Sequence, residues 1–184
     1  YTKCVSCGMC IVSCPFGAIG EKSEIVQIIL ALQSGKRVYA EIAPAFVSQF
    51  GPLVKPEMLM SATKQVGFQS ITEVAAGADV VIMQESQELV HLMQTDTTVK
   101  PNRDFVGTSC CTAWVLAAQR NFPEIAQRNI SESYAPMVEA AKKIKIKDQD
   151  AVVVFIGPCI AKKEECFKPE VIKLIDFVMT FEEL

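Results

Sequence analysis

The chain has 184 residues, of which 50% are hydrophobic, so it holds enough apolar side chains for one ordinary domain with a small appendage. Its formal net charge of -3 argues against the basic face that nucleic-acid binding needs, and no apolar run approaches the length of a membrane span. A single histidine nearly excludes a histidine dyad, a His-rich metal site or a Ser-His-Asp triad.

The chain opens with a run of four cysteines at the spacing of a bacterial iron–sulfur ligand run: Cys4, Cys7, Cys10 and Cys14. Three thiolates on one tight loop converge on one [4Fe-4S] cluster, while the fourth points away and Pro15 ends the loop. In two-cluster ferredoxins the fourth cysteine ligates a second cluster with its own triplet, and the chain has no second triplet. We therefore expect residues 1–20 to form half of a ferredoxin-like module, in a chain cut at its start, which agrees with Tyr1.

Zinc and disulfide bonds are the alternatives for these cysteines. Zinc sites usually pair two Cys-x2-Cys dipeptides across a longer gap than this run contains. Eight cysteines in 184 residues are fewer than small disulfide scaffolds carry, and no secretory signal is visible. A reducing cytoplasm is therefore the predicted compartment.

The rest of the chain alternates predicted helices and strands. Apolar residues at helical spacing predict a connecting helix over 23–33, within a segment 21–35 that ends at Gly35. The predicted strands that follow are residues 38–43, 70–75, 105–107, 151–156 and 177–179. The predicted helices are residues 56–66, 77–95, 112–121 and 136–143, with a further helix capped by Thr180. The alternation predicts an α/β fold for residues 36–184, with a mostly parallel sheet flanked by helices.

Two of the predicted strands lead directly into cysteines. Strand 105–107 leads into Cys110 and Cys111, and strand 151–156 leads into Cys159. Ligands of parallel sheets bind beyond the carboxyl ends of the strands, so these thiols are expected at the binding edge. Adjacent cysteines at a turn point in different directions, so one can bind metal while its neighbour stays a free thiol.

The surroundings of these cysteines leave two interpretations open. Lys162 and Lys163 follow Cys159 within one helical turn, and their charge would favour a thiolate or hold an anionic ligand. This favours a second metal site. The alternative is that the cysteines are small buried apolar residues, as free cysteines often are.

Five strings of the sequence resemble the catalytic domain of the iron-only, or [FeFe], hydrogenases. Residues 108–114 ("TSCCTAW") and 157–165 ("GPCIAKKEE") look like the first two of the three signature motifs of that family. The further matches are Ala43-Pro44-Ala45, residues 76–89 ("AGADVVIMQESQEL") and the terminal "TFEEL". Together with the ferredoxin-like run, the resemblance covers essentially the whole chain.

The resemblance implies a reaction and its residues. The reaction is the reversible reduction of protons to H2, with electrons from a redox partner such as ferredoxin. Cys111 and Cys159 would be two of the four thiolates that hold a [4Fe-4S] cluster, which is joined to a diiron subsite with CO and cyanide ligands. Cys110 would be the proton-transferring thiol, and Lys162 would hydrogen-bond a cyanide. The remaining implied residues are the proton-relay groups Glu85, Glu88 and Ser131, and the cofactor contacts Ala43, Pro44, Ser109 and Pro158.

The two glutamates can also be assessed from their spacing. Three residues apart on a helix, Glu85 and Glu88 share one face, in a row that is apolar at both ends, at Val81 and Leu92. Partial burial would raise the pKa of both carboxyls, which suits a proton relay. The alternative is an ordinary solvated helix face.

The sequence departs from the family pattern at several places. We expect the chain to stop before the third motif, which supplies the other two cluster thiolates, so that the chain alone cannot complete the site. Thr112 stands where most catalytic members have proline, and Gly157 where they have methionine. The arginine usual after Ala-Pro-Ala is replaced by residues 46–48.

Three functions remain open at this point: a hydrogenase, a hydrogen- or redox-sensing module on the same fold, and an iron–sulfur assembly protein. The changes around the expected cofactor suit a divergent or sensory member. The presence of Cys110, Lys162 and Glu85 weighs against the assembly protein.

Overall fold

The computed structural model describes residues 3–94 and 103–184. They contain four strands, β1 (Val38–Ile42), β2 (Ser70–Glu73), β3 (Val152–Gly157) and β4 (Phe177–Thr180). They also contain eight α-helices: α1 (Met9–Val12), α2 (Ile25–Gln33), α3 (Pro56–Val66), α4 (Ala75–Met93), α5 (Thr112–Asn121), α6 (Pro123–Asn129), α7 (Pro136–Lys147) and α8 (Ala161–Glu165). A single 3-10 turn, Pro44–Phe46, follows β1.

The four strands form one parallel sheet in the order β2-β1-β3-β4. Every residue of β3 is buried, as expected of an unbroken apolar strand covered on both faces. Helix α7 packs against β1 and β3, α3 against β2, and α2 and α8 against β4. The predicted α/β fold with a parallel, helix-flanked sheet is therefore confirmed.

Proline and glycine explain several helix boundaries. Helices α3, α6 and α7 each begin with proline, which lacks an N–H that the first helical turn would leave unpaired. Gly67 follows α3 with a φ of 122°, and its N–H donates to the Lys64 carbonyl at 3.1 Å. Only glycine adopts this conformation readily, so the helix predicted over 56–66 is confirmed at both ends.

The strand predicted over 105–107 is wrong. Gly107 forms an isolated parallel bridge with Ile130 and does not join the sheet. Its N–H donates to the Asn129 carbonyl, and its carbonyl accepts from the Ser131 N–H, both at 2.8 Å. The short segment thus pairs with the residues that follow α6, so Cys110 and Cys111 reach the site from a loop.

Other boundaries differ by a few residues. The strand predicted over 70–75 ends at Glu73 because α4 already begins at Ala75, and the predicted end of that helix at residue 95 lies outside the described residues. Helix α7 continues to Lys147, where the Lys145 ammonium donates to the Ala151 carbonyl at 2.5 Å.

The last residues form the hydrogen bonds of a capping box. The Thr180 N–H donates to Glu183 Oε2 at 2.7 Å, and the Glu183 N–H donates to Thr180 Oγ1 at 3.2 Å. These two hydrogen bonds confirm the capping role predicted for Thr180. Across the described ranges, no helix is both long and apolar enough to cross a membrane.

Candidate functional site

The N-terminal cysteines lie on a tight loop at the surface. Three of their thiols are exposed and that of Cys14 is half-buried. Ser6 and Gly8 turn the chain through left-handed conformations, with φ of 56° and 81°. A Cβ at Gly8 would lie 2.8 Å from Cδ1 of Ile160, so the loop rests closely on the residue before α8.

The donor chemistry of this loop fits an iron–sulfur cluster. The Ala18 N–H donates to Cys14 Sγ at 3.4 Å, and the Ser6 N–H donates to Cys4 Sγ at 3.5 Å. Backbone N–H groups, above all those of Ala18 and Phe16, lower the pKa of the Cys14 thiol because they stabilise the thiolate. Within the described part of the chain, no three Cys, His, Asp or Glu side chains already converge as metal ligands. The exposed thiols can turn toward a cluster without displacing the core.

The cysteine loop and the loop after β3 face one cavity. This cavity, of about 360 Å³, is lined by Cys7 and Gly8 on one side and by Pro158 and Cys159 on the other. The N-terminal run and one thiol at the sheet edge are therefore neighbours. One cysteine of each predicted ligand set, Cys7 and Cys159, therefore lines this cavity.

The three cysteines of the sheet edge differ in exposure. Cys110 and Cys111 are exposed and Cys159 is half-buried, so the interpretation of all three as buried apolar residues is wrong. Cys111 lies directly before α5, and Cys159 follows the carboxyl end of β3. Hydrogen bonds from Lys162 join the two loops that carry these thiols.

Lys162 connects the two cysteine loops. Its ammonium donates to the Cys110 carbonyl at 2.9 Å and to Glu165 Oε2 at 2.6 Å. Glu165 Oε2 also accepts a hydrogen bond from Thr112 Oγ1 at 2.5 Å. The Glu165 and Lys162 side chains are 5% and 12% exposed, so this ion pair is largely removed from water. The cation is thus held at the cysteine edge from two sides.

Both predicted relay glutamates have hydrogen-bond partners. Glu85 Oε1 accepts from Thr108 Oγ1 at 2.9 Å and from the Ser109 N–H at 3.0 Å. Glu88 accepts from Ser131 Oγ at 2.7 Å. The side chains are half-buried, so the alternative of an ordinary solvated face is wrong. The structure brings Glu85 to the residue before Cys110 and Glu88 to Ser131.

Sequence reasoning missed the residues that organise this side of the site. The Arg103 guanidinium is 2.6 Å from Glu88 Oε2 and also donates to the Asn129 and Phe105 carbonyls, each at 3.3 Å. The Asn129 side-chain oxygen accepts from the N–H groups of Asp104 and Phe105. Apart from Arg103 and Phe105, these partners lie 15 to 26 residues apart along the chain, so no periodicity or motif points to them.

The predicted cofactor contacts differ in their environment. Ala43 is buried and its N–H donates to the Ile156 carbonyl at 2.8 Å, whereas Pro44 and Pro158 are exposed. Ser109 Oγ is buried and has no hydrogen-bond partner among the described residues. An orphaned hydroxyl next to Cys110 is a position where a polar ligand of a bound group would be accommodated.

Phe155 accounts for the glycine at position 157. A Cβ at Gly157 would lie 2.7 Å from the Phe155 ring and 3.1 Å from the Cβ of Ala43. The ring of Phe155, which also belongs to β3, therefore occupies the space that the Cβ of a methionine would need. At this departure from the family pattern, Phe155 and Ala43 occupy the space next to the glycine.

Two further groups near α8 are at least partly buried. Cys166 packs against the core, where burial and the nearby Glu165 charge raise its pKa to about 12, so it is a structural thiol. Glu41, on β1, is fully buried. Neither residue was predicted to take part in the site.

A parallel α/β sheet with cysteines and a lysine at its carboxyl edge, behind a surface loop of four cysteines, defines an iron–sulfur protein of the α/β class. Residues 36–184 match the family described as iron only hydrogenase large subunit, C-terminal domain, and residues 1–20 match a 4Fe-4S binding domain. The chain belongs to the iron-only hydrogenase large-subunit family.

Individual relatives support this assignment. The chain is 32% identical to the NADP-reducing hydrogenase subunit HndD of Solidesulfovibrio fructosivorans and 30% identical to iron hydrogenase 1 of Clostridium pasteurianum. Each match covers 92% of this chain and 32% of the relative, so the chain spans about a third of their length. It is also 27% identical, over 65% of the chain, to the cytosolic Fe-S cluster assembly factor NAR1 of Lodderomyces elongisporus, of which the match covers 23%.

Proposed function

We propose that the protein containing this chain reduces protons reversibly to H2 at a [4Fe-4S] cluster joined to a diiron subsite. The observation that carries the proposal is the position of Lys162, whose ammonium binds the Cys110 carbonyl and Glu165 at the edge that also presents Cys111 and Cys159. Hydrogenase relatives and the family match support this reaction class.

The thiols at the sheet edge suit this cofactor. Cys111 and Cys159 would supply two of the thiolates that hold the [4Fe-4S] cluster. When bound, the cofactor supplies the metal centre at which protons and electrons combine. The Lys162 ammonium offers N–H donors there, which suit the anionic cyanide ligands implied by the family resemblance. The orphaned Ser109 hydroxyl provides a further donor.

The proposed proton path uses the chain's own residues. Cys110 would hold the last proton, and its backbone N–H donates to Thr108 Oγ1 at 3.5 Å, which keeps the Cys110 loop beside Glu85, the acceptor of the Thr108 hydroxyl. Glu88 lies one helical turn further along α4 and accepts from Ser131 Oγ. Hydrogen-bonded hydroxyl and carboxyl groups in this order suit the stepwise movement of protons between the surface and Cys110.

The cysteine loop would deliver electrons. Cys4, Cys7 and Cys10 would supply three thiolates to a [4Fe-4S] cluster close to the surface, where a redox partner such as ferredoxin has access, and Cys14 would point away toward a second cluster. Cys7 and Cys159 line the same cavity, which supports a short path between the two cluster positions.

An infrared spectrum of the matured full-length protein tests the proposal. We expect bands of CO and cyanide bound to iron, together with H2 production. The variant Cys110→Ala should keep these bands and lose about 10²–10⁴-fold in turnover, the range typical of a lost general acid. Cys166→Ala is the matched control because it removes a core thiol behind α8.

Two results would contradict the proposal at different points. Absence of the CO and cyanide bands would exclude the diiron site and with it the reaction. Undiminished turnover of the Cys110→Ala variant, with the bands present, would show only that another group delivers the proton.

Two other functions share parts of this site. The relation to a cluster assembly factor favours an assembly protein, which would show iron–sulfur clusters without CO or cyanide bands. The changes at Thr112 and Gly157 favour a sensing module, which would show the bands with slow turnover. Cys110, Lys162 and Glu85, which have no evident use in assembly, support the hydrogenase chemistry.

A further inference from the structure

Glu41 is a fully buried acid whose oxygens have no partner. It lies in β1, in register with Thr72 of β2 and Phe155 of β3, and its exposed fraction is 0%. Neither carboxyl oxygen has a hydrogen-bond partner in the described part of the chain. An ionised carboxylate in such a position loses its hydration and gains no hydrogen bond in return, so the neutral acid is the favoured form.

The groups that face Glu41 come from α8 and its flanks. The Lys162 ammonium is the charge that acts on Glu41, and it lowers the pKa of this carboxyl, whereas burial raises that pKa well above its ordinary value. Glu165 and Glu24 face the adjacent Cys166 thiol, as Glu41 itself does. The neighbours in the sheet, Thr72 and Phe155, carry no charge.

The charge of Lys162 is already balanced. Its ammonium is 2.6 Å from Glu165, which is itself buried, and it donates to the Cys110 carbonyl at 2.9 Å. The high pKa of Cys166 keeps that thiol uncharged. Glu165 also lies 4.0 Å from the Lys168 ammonium, whose side chain is 40% exposed. A second anion at Glu41 would compete with Glu165 for the Lys162 ammonium.

We propose that Glu41 is a positioning residue for Lys162: a protonated acid in the sheet whose neutrality leaves the ammonium bound to Glu165 and Cys110 at the cysteine edge. If Glu41 ionised, the new charge would draw the ammonium toward β1 and away from the Cys110 carbonyl. The proposal concerns the chain's own residues and does not depend on the hydrogenase reaction.

The proposal has a defined signature in the pH dependence of stability. Glu41 is neutral in the folded chain, whereas in the unfolded chain it ionises above the ordinary glutamate pKa. The folded state then binds one more proton, so the stabilisation is complete at low pH and is lost as pH rises toward the folded-state pKa. Each pH unit in that window changes the folding equilibrium constant tenfold.

The first experiment compares unfolding of the full chain by urea, as a function of pH, for the wild type, Glu41→Gln and Glu139→Gln. Glu139 is the control because it is also buried but pairs with Lys142 at 2.7 Å. The amide of Glu41→Gln cannot ionise. Above the ordinary glutamate pKa, the folding equilibrium constant of this variant should therefore rise tenfold per pH unit relative to that of the wild type. Parallel pH profiles for wild type and Glu41→Gln would overturn the proposal.

Infrared spectroscopy of the folded chain gives a second readout. The wild type should show the carbonyl band of a protonated carboxyl at neutral pH, and Glu41→Gln should lack it. If the Gln variant does not fold, Glu41→Asp replaces it in this comparison. This variant keeps the acid and should shift the band. In Lys162→Met the opposing charge is gone, so the band should persist to higher pH. An unshifted band in Glu41→Asp, or an unchanged midpoint in Lys162→Met, would overturn the assignment.

Discussion

Thr112 has a definite use at the residue scale, although it replaces the proline found in most catalytic members of the family. Its hydroxyl donates to Glu165 Oε2, the same oxygen that accepts from Lys162. Thr112 and Glu165 are buried, so water cannot substitute for either partner. The threonine therefore holds the carboxylate that holds the lysine, at the residue next to Cys111.

Replacement of Thr112 by valine should weaken this arrangement. The change keeps the shape of the side chain and removes one hydrogen bond to a buried carboxylate, so we expect a loss of about 1.5–3 kcal/mol in the free energy of unfolding. Urea denaturation of wild type, Thr112→Val and Thr112→Ser measures it. Serine keeps the hydroxyl and should retain most of the stability; a loss in Thr112→Ser together with wild-type stability in Thr112→Val would show that the methyl group matters instead.

At the element scale, the crossing of α4 and α7 positions the helix that carries both predicted relay glutamates. Gly77, near the start of α4, lies so close to α7 that a Cβ there would be 2.1 Å from the Pro136 carbonyl oxygen and 3.0 Å from the Ala140 nitrogen. The Lys143 ammonium of α7 also donates to the Ala76 carbonyl at 2.6 Å. Glu85 lies further along α4, so its contact with Ser109 depends on this close approach of the two helices.

The substitution Gly77→Ala should force the two helices apart. The clash involves backbone atoms, which cannot move aside as a flexible side chain does, so we expect destabilisation of about 1–3 kcal/mol. The Ser109 amide, which donates to Glu85, should also exchange its hydrogen faster. Gly20→Ala is the control, since a Cβ at Gly20 meets no atom within 4 Å. Unchanged stability and exchange in Gly77→Ala would disprove the close packing of α4 on α7.

The elements that could be predicted from sequence are those whose signals are local. The apolar run of β3 and the proline and glycine that bound α3 depend on neighbours in the chain, and both elements lie within one residue of the prediction. The prediction of a sheet strand over 105–107 was wrong because Gly107 pairs with Ile130, which is distant in sequence. The hydrogen bond from Thr112 to Glu165 spans 53 residues, so it could not be predicted from local sequence either.

The candidate site divides in the same way. The cysteines and Lys162 follow from motifs, because ligand chemistry restricts the residue types that can serve. Arg103 and Glu41 carry no such signal. A buried glutamate contradicts the general expectation that carboxylates are exposed, and only the packed structure shows that Glu41 has no exposed surface and no hydrogen-bond partner among the described residues.

At the scale of the whole molecule, the N-terminal segment is joined to the α/β lobe by charged contacts. The Lys163 ammonium lies 3.0 Å from each carboxylate oxygen of Glu183 and 3.2 Å from Glu21, and it donates to the Lys22 carbonyl at 3.0 Å. Glu24 also accepts from the Val178 N–H of β4 at 2.8 Å. Lys163 thus links the segment after the cysteine loop to the terminal capping box. It directly follows Lys162, the lysine of the candidate site.

Replacement of Lys163 by methionine should loosen the cysteine loop while leaving the sheet intact. The Lys163 side chain is 12% exposed and methionine keeps its apolar stem, so the change removes the ammonium contacts with little loss of packing. We expect faster amide exchange over residues 3–24 with unchanged protection in β1 and β3. Lys147→Met, at the exposed end of α7, is the control and should alter neither region. If residues 3–24 keep their wild-type exchange in Lys163→Met, the packing of Gly8 against Ile160 is sufficient to hold the loop, and the charged contacts do not position it.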